Sequence, residues 1–134
     1  MSGIEGGCLC GAVRYQITEN PLLVEYCHCS MCRKSTGSPV VVWMDVARKD
    51  LTWAKGNPAS YPSSPGISRG FCATCGSTLT FDNSANADKI SLTAATLDDP
   101  APYAPKHHIY AADQLPWLEL SDHLPRHPGP LDES

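Results

Sequence analysis

Apolar and polar residues alternate along this chain in short runs broken by turn formers, and the period is two rather than 3.6. Over Gly11 to Thr18 (GAVRYQIT), Val13, Tyr15 and Ile17 share one face, the pattern of a half-buried strand. Leu22 to Tyr26 gives a second strand that leads directly into Cys27. Pro39 to Val46 (PVVVWMDV) is apolar on both faces, which predicts a central strand. Leu51 to Lys55 follows and stops at Gly56-Asn57-Pro58. Ser60 to Gly66 (SYPSSPG) predicts a loop, while Ile67 to Cys72 and Ser77 to Phe81 flank a cysteine pair like the arms of a hairpin. Lys89 to Ala94 predicts a further strand. No segment carries a convincing amphipathic helical stripe, although residues 47–50 and 96–99 allow single helical turns. The fold class is therefore mainly β. From Pro100 onward prolines make the chain irregular, apart from an extended piece near His107 to Tyr110 and an apolar cluster at Leu115 to Leu120. Residues 1–124 are expected to form the domain, and 125–134 a disordered tail.

At 134 residues there is room for one core and not for two. Only 42% of residues are hydrophobic, and 12 Pro with 10 Gly mark many turns, so metal cross-links are expected to help hold the domain together. The net charge of −4, with basic residues scattered, argues against nucleic-acid binding. No apolar run reaches 18 residues and the N-terminus lacks a signal pattern, so a soluble, cytoplasmic protein with no membrane association is expected. Thiols stay reduced in that compartment.

Reduced thiols matter because the chain has seven cysteines, at Cys8, Cys10, Cys27, Cys29, Cys32, Cys72 and Cys75. Tetrahedral zinc with Zn–S bonds of about 2.3 Å needs sulfurs about 3.8 Å apart, and cysteines two or three residues apart supply such pairs with little loop entropy. Cys72-Ala73-Thr74-Cys75-Gly76 forms a knuckle in which backbone N–H groups can reach the sulfurs and the glycine permits positive φ. Cys8-Leu9-Cys10-Gly11 is its natural partner, and the two pairs together make a closed structural site. Cys27, Cys29 and Cys32 then make a second cluster one ligand short, as in a catalytic zinc site. Closure of that cluster by a remote histidine (His107, His108, His123 or His127), or three unmetallated thiols, stays open. His28 lies between two ligands, and on an extended segment it points away from them.

As a set, GGCLCGAVRY (6–15), YCHCSMCRKSTGS (26–38), SRGFCATCGSTLTF (68–81), the strand with DDP (89–100) and PKHHIYAADQLPWLEL (105–120) resemble the glutathione-dependent formaldehyde-activating enzyme family, which also includes the centromere protein V proteins. The resemblance implies a β-tent of short antiparallel sheets organised around two zinc sites. It implies two Zn2+ per chain: a structural zinc on Cys8, Cys10, Cys72 and Cys75, and a catalytic zinc on Cys27, Cys29 and Cys32. It further implies a carbon–sulfur lyase that joins glutathione to formaldehyde as S-(hydroxymethyl)glutathione, so the partners are a small-molecule thiol and an aldehyde. The chain is shorter than the glutathione-using members, so the metal chemistry transfers further than the identity of the thiol.

Arg33 and Lys34 directly follow the last ligand and are the candidates for receiving a substrate carboxylate. His28, His107 and His108 are the candidate proton carriers. Arg69, close to the knuckle, is placed to neutralise thiolate charge. Trp43, Trp53 and Phe71 read as core residues, and Trp117 as packing or as a pocket wall. A noncatalytic zinc-binding interaction module is the alternative from a different class, and a thiol or metal buffer is a third.

Overall fold

The computed structural model describes residues 3–131. Strands β1 (Ile4–Gly7), β2 (Arg14–Ile17) and β5 (Leu51–Lys55) form a small antiparallel sheet in the order β1-β2-β5. The large sheet contains β3 (Leu23–Cys27), β4 (Val41–Ala47), β6 (Ala59–Ser64), β7 (Ile67–Phe71), β8 (Thr78–Asn83), β9 (Lys89–Thr93) and β10 (His108–Ile109). Its order is β10-β3-β4-β9-β8-β7-β6. The apolar segment at 39–46 becomes β4, an interior strand between β3 and β9, as its two apolar faces demand.

The period-two pattern sends the strands of the large sheet to two different tasks. Val24, Met44, Val46 and Leu92 face the small sheet and pack with Tyr15 and Ile17 in the main core. The opposite face carries Cys27, Glu25, Trp43 and Asp45. Register extends it across the sheet, since Asp45 lies opposite Ser91, Ser91 opposite Phe81, and Phe81 opposite Arg69. A second, smaller cluster of Cys27, Cys32, Val41, Trp43 and Ile109 sits on this face.

Several expectations are corrected here. Residues 60–66 are not a loop throughout, because β6 forms despite Pro62. It is the edge strand, with one neighbour, so the missing N–H costs no ladder bond. The sheets are not antiparallel throughout, because β10 runs parallel to β3. Strand β1 has no clear alternation in its sequence, IEGG, to announce it. Helix α1 (Ser30–Thr36) spans the third cysteine of the middle cluster; it buries only Cys32 fully, which leaves no apolar stripe to detect. It ends at Gly37 in the left-handed region, whose N–H bonds the Arg33 carbonyl at 2.8 Å. Residues 125–131 do not hang free. Tyr110 N–H donates to Gly129 O, His127 N–H to His108 O, and Arg126 bridges His108. The rest of the expected tail, 132–134, lies outside the described residues. Trp117 is 70% exposed, so it neither packs nor walls a pocket.

Candidate metal centre and adjoining cavity

The outer cysteine pairs meet. Cys8 Sγ is 3.7 Å from Cys10 Sγ, and Cys10 Sγ is 3.8 Å from Cys72 Sγ. All four sulfurs of Cys8, Cys10, Cys72 and Cys75 lie within 4.8 Å of one another, so this set could hold a metal ion. Both loops are built alike. Val13 N–H donates to Cys8 Sγ at 3.3 Å, and Cys75 N–H to Cys72 Sγ at 3.4 Å. Gly11 (φ 81°) and Gly76 (φ 83°) each follow the second cysteine in the left-handed region, with open space around them. Ser77 links the loops, accepting from Leu9 N–H and contacting Cys75 Sγ.

Without a cation these sulfurs cannot all ionise together. Ser77's hydroxyl and backbone N–H, with the Cys10 N–H, bring the Cys75 thiol down to about 5. At Cys10 the Ala12 N–H favours the thiolate, yet burial and the neighbouring thiols outweigh it and push the group up to about 11. Four crowded sulfurs dividing charge this way fit a zinc ion, which would hold all four as thiolates.

The middle cluster is assembled in part. Cys27 and Cys32 sulfurs are 3.6 Å apart. Cys29, the residue preceding α1, lines the same cavity, but its sulfur does not complete a three-ligand group within 4.8 Å. Arg69 is 6% exposed and reaches Cys32 Sγ through Nη1 (3.6 Å) and Nη2 (3.7 Å), while its guanidinium lies over the Phe81 ring at 5.0 Å. The Cys27 thiol and Arg69 favour charge on Cys32 and lower it to about 5, against a desolvation penalty. Cys27 is pushed up in turn, first by its hydrogen bond to Cys32 and then by burial.

This cluster opens into a cavity of about 360 Å³ on the second face of the large sheet. Cys27, Cys29, Cys32, Arg69 and Tyr110 border it, and Glu25, Asp45, Ser91 and Lys89 line it as well. Neither Arg33 nor Lys34 borders it. Lys34 edges an adjoining groove with Met31 and Tyr61, and Arg33 has a buried Nε without a partner.

The candidate histidines are held in buried pairs. His107 Nε2 donates to Glu25 Oε1 at 2.8 Å. His108 Nε2 donates to the Asp122 carboxylate at 3.0 Å, which leaves its Nδ1 as an acceptor for His28 Nε2–H at 2.8 Å. Burial, the largest cause, lowers His28 to about 4 and keeps it neutral. Neither His107 nor His108 borders the cavity, so neither is placed to close the three-cysteine cluster. Sequence reasoning missed Glu25, Asp45 and Tyr110. For Glu25 the signal was present, because it stands two positions before Cys27 on a strand and so shares its face.

A mainly β domain thus carries a four-cysteine set that could hold a metal ion and, separately, a thiol-lined cavity. A family model described as "Glutathione-dependent formaldehyde-activating enzyme" matches residues 3–113. The chain belongs to that family. An uncharacterized lyase of Schizosaccharomyces pombe is 38% identical over 82 residues, 60% of this chain. The match spans 58% of that protein's length. A candidate glutathione-dependent formaldehyde-activating enzyme of Halomonas elongata is 28% identical over 127 residues, covering 87% of this chain and 80% of the relative. A crystal structure of a Rhodobacter sphaeroides protein superposes with a TM-score of 0.60 at 25% identity, covering 74% of this chain and 94% of the other. Among the described residues no helix is long and apolar enough to cross a membrane.

Proposed function

We propose that the protein is a zinc-dependent carbon–sulfur lyase acting on a thiol–aldehyde adduct of the S-(hydroxymethyl)glutathione type. One observation carries the reading. The seven cysteines divide into a closed set of four, and a set of three lining a cavity with Arg69 against Cys32. The four would hold a structural zinc. Cys27, Cys29 and Cys32 would hold a second one, with Cys29 swinging in from the start of α1. A zinc on three thiolates supplies an open position that favours a soft ligand such as a substrate sulfur.

The chain's own residues do the rest. Arg69 offsets the negative charge that gathers when a further thiolate joins the cluster. Trp43, Phe81 and Ile109 supply apolar wall that keeps water away from the reacting carbon. In one direction a C–S bond forms between the substrate sulfur and the aldehyde carbon. In the other it breaks, and thiol and aldehyde leave. The site suits a reducing compartment such as the cytoplasm, where the thiols stay available. Family membership supports the lyase class. The identity of the thiol is the open variable.

Exchange NMR tests this directly. Zinc-loaded protein mixed with formaldehyde and individual cellular thiols should accelerate adduct interconversion for at least one thiol. Cobalt-substituted protein should change its spectrum at one of two sites when that thiol is added. No spectral change and no acceleration across the panel would leave a noncatalytic zinc module as the better description.

A further inference from the structure

Thiol–aldehyde addition moves charge onto the former carbonyl oxygen, so a lyase of this kind profits from a hydrogen-bond donor at that atom. None of the three histidines suggested by the sequence borders the cavity. Arg69 is committed to Cys32 and Ser35. Glu25 and Asp45 are acceptors when ionised. Lys89 and Ser91 are engaged with Asp45. Of the other donors on the cavity wall, which include Ser64, Asn83 and Asn86, Tyr110 packs against the Cys27–Cys32 cluster.

Its backbone is unusual. Tyr110 has φ 52° and ψ 38°, and among the described residues no other non-glycine has positive φ. A bulky side chain in that region is strained, and such strain clusters at working sites. Three hydrogen bonds enforce it. Tyr110 N–H donates to Gly129 O (2.8 Å), Ala111 N–H to His127 O (2.9 Å) and Asp113 N–H to Tyr110 O (3.0 Å). The residue packs against the cluster of Cys27, Cys32 and Trp43. A phenol ionises only at about pH 10, so the hydroxyl is a donor at neutral pH. None of the hydrogen bonds among the described residues uses that hydroxyl.

We infer that Tyr110 is a catalytic residue whose hydroxyl donates a hydrogen bond to the carbinol oxygen of the thiol–aldehyde adduct. This rests on the reading of the three-cysteine cavity as the place of reaction. When the C–S bond forms, the sulfur lone pair attacks carbon and the carbonyl π pair moves to oxygen, where Tyr110 holds it. The proton released by the thiol ends on that oxygen through solvent. In the reverse direction the carbinol proton leaves, the C=O bond re-forms, and the C–S pair departs with sulfur. The left-handed backbone sets Tyr110 on the cavity wall, with the 125–131 segment as its clamp.

Tyr110→Phe tests this, because it keeps the ring and removes one oxygen. The zinc-loaded variant is expected to lose about 100-fold in exchange rate, the typical effect of deleting one such donor. Its affinity for ethanethiol should stay within about twofold of the original. Wild type should favour 2-mercaptoethanol, a stable mimic of the hydroxylated adduct, over ethanethiol by about fivefold, and the variant should lose that preference. An exchange rate within about twofold of wild type, with the preference intact, overturns the role of Tyr110 while leaving the lyase reading in place. A wild type that accelerates no adduct, yet shows a Tyr110-dependent hydroxyl preference, overturns the reaction and retains the contact.

Discussion

Arg69 and the left-handed glycines show how single residues set the chemistry of the sulfurs. In metal-free protein the Cys27–Cys32 pair should release its first proton near pH 5, because Cys32 is lowered to about 5. A thiol depressed below its ordinary value contributes stability that is full above that value and is lost as pH falls toward 5. Arg69→Met removes one of the groups that favour the thiolate. The thiolate absorbance step near 240 nm should then move upward by about one pH unit, and acid unfolding should begin at higher pH. A step that stays in place would mean that Arg69 has only a packing role. At Gly76, φ is 83° and an added methyl would meet open space, so backbone strain is the sole cost of alanine. Gly76→Ala should therefore cost about 1 kcal/mol in denaturant melts. Gly70→Ala should cost more, because its Cβ would strike the Thr80 side chain on the neighbouring strand.

At the scale of elements, α1 carries the middle cysteine set and the 125–131 segment pairs with β10 beside it. Cys29 takes the position just before α1, with φ −54°, ψ 135° and no side-chain cap. Serine is a favoured residue there, so Cys29→Ser should leave the melting temperature of metal-free protein equal or higher while it removes a ligand. Metal analysis should show one zinc retained and thiol binding abolished, whereas Cys75→Ser should unfold the domain. Equal collapse of both variants would contradict a division of labour between the sets. The cysteines were legible in the sequence because each pair is local, β2 because its alternation is strong, β4 because it is apolar on both faces, and the β7–β8 hairpin because its arms flank the last cysteine pair. Helix α1 was not, since seven residues that bury one cysteine show no period. Strand β6 was hidden by Pro62, whose tolerance depends on an edge position that only the sheet order reveals. Glu25, Asp45, Ser91 and Arg69 share a face only through strand register, and Tyr110 reaches the cavity through backbone pairing with 125–131.

Across the whole molecule, the four-cysteine cradle ties the loop that leads into β2 to the β7–β8 hairpin. Cys10 and Cys72 stand 62 positions apart in sequence with sulfurs 3.8 Å apart. A cross-link closing a loop of that length restrains the unfolded chain by about 4 kcal/mol. Chelating all metal should therefore lower the melting temperature by more than about 10 °C in calorimetry, and restoring zinc should reverse it. Loss of one metal without a change in melting temperature would identify the three-cysteine cluster as the labile one. The large sheet has one further property. Its strands present Met44, Val46 and Leu92 to the interior, and Glu25, Asp45 and Ser91 to the opening. Neighbouring positions on one strand therefore answer to different selection pressures, and a substitution that reshapes ligand preference need not spend folding free energy. Descendants of one ancestral scaffold can diverge in diet while inheriting the same framework intact.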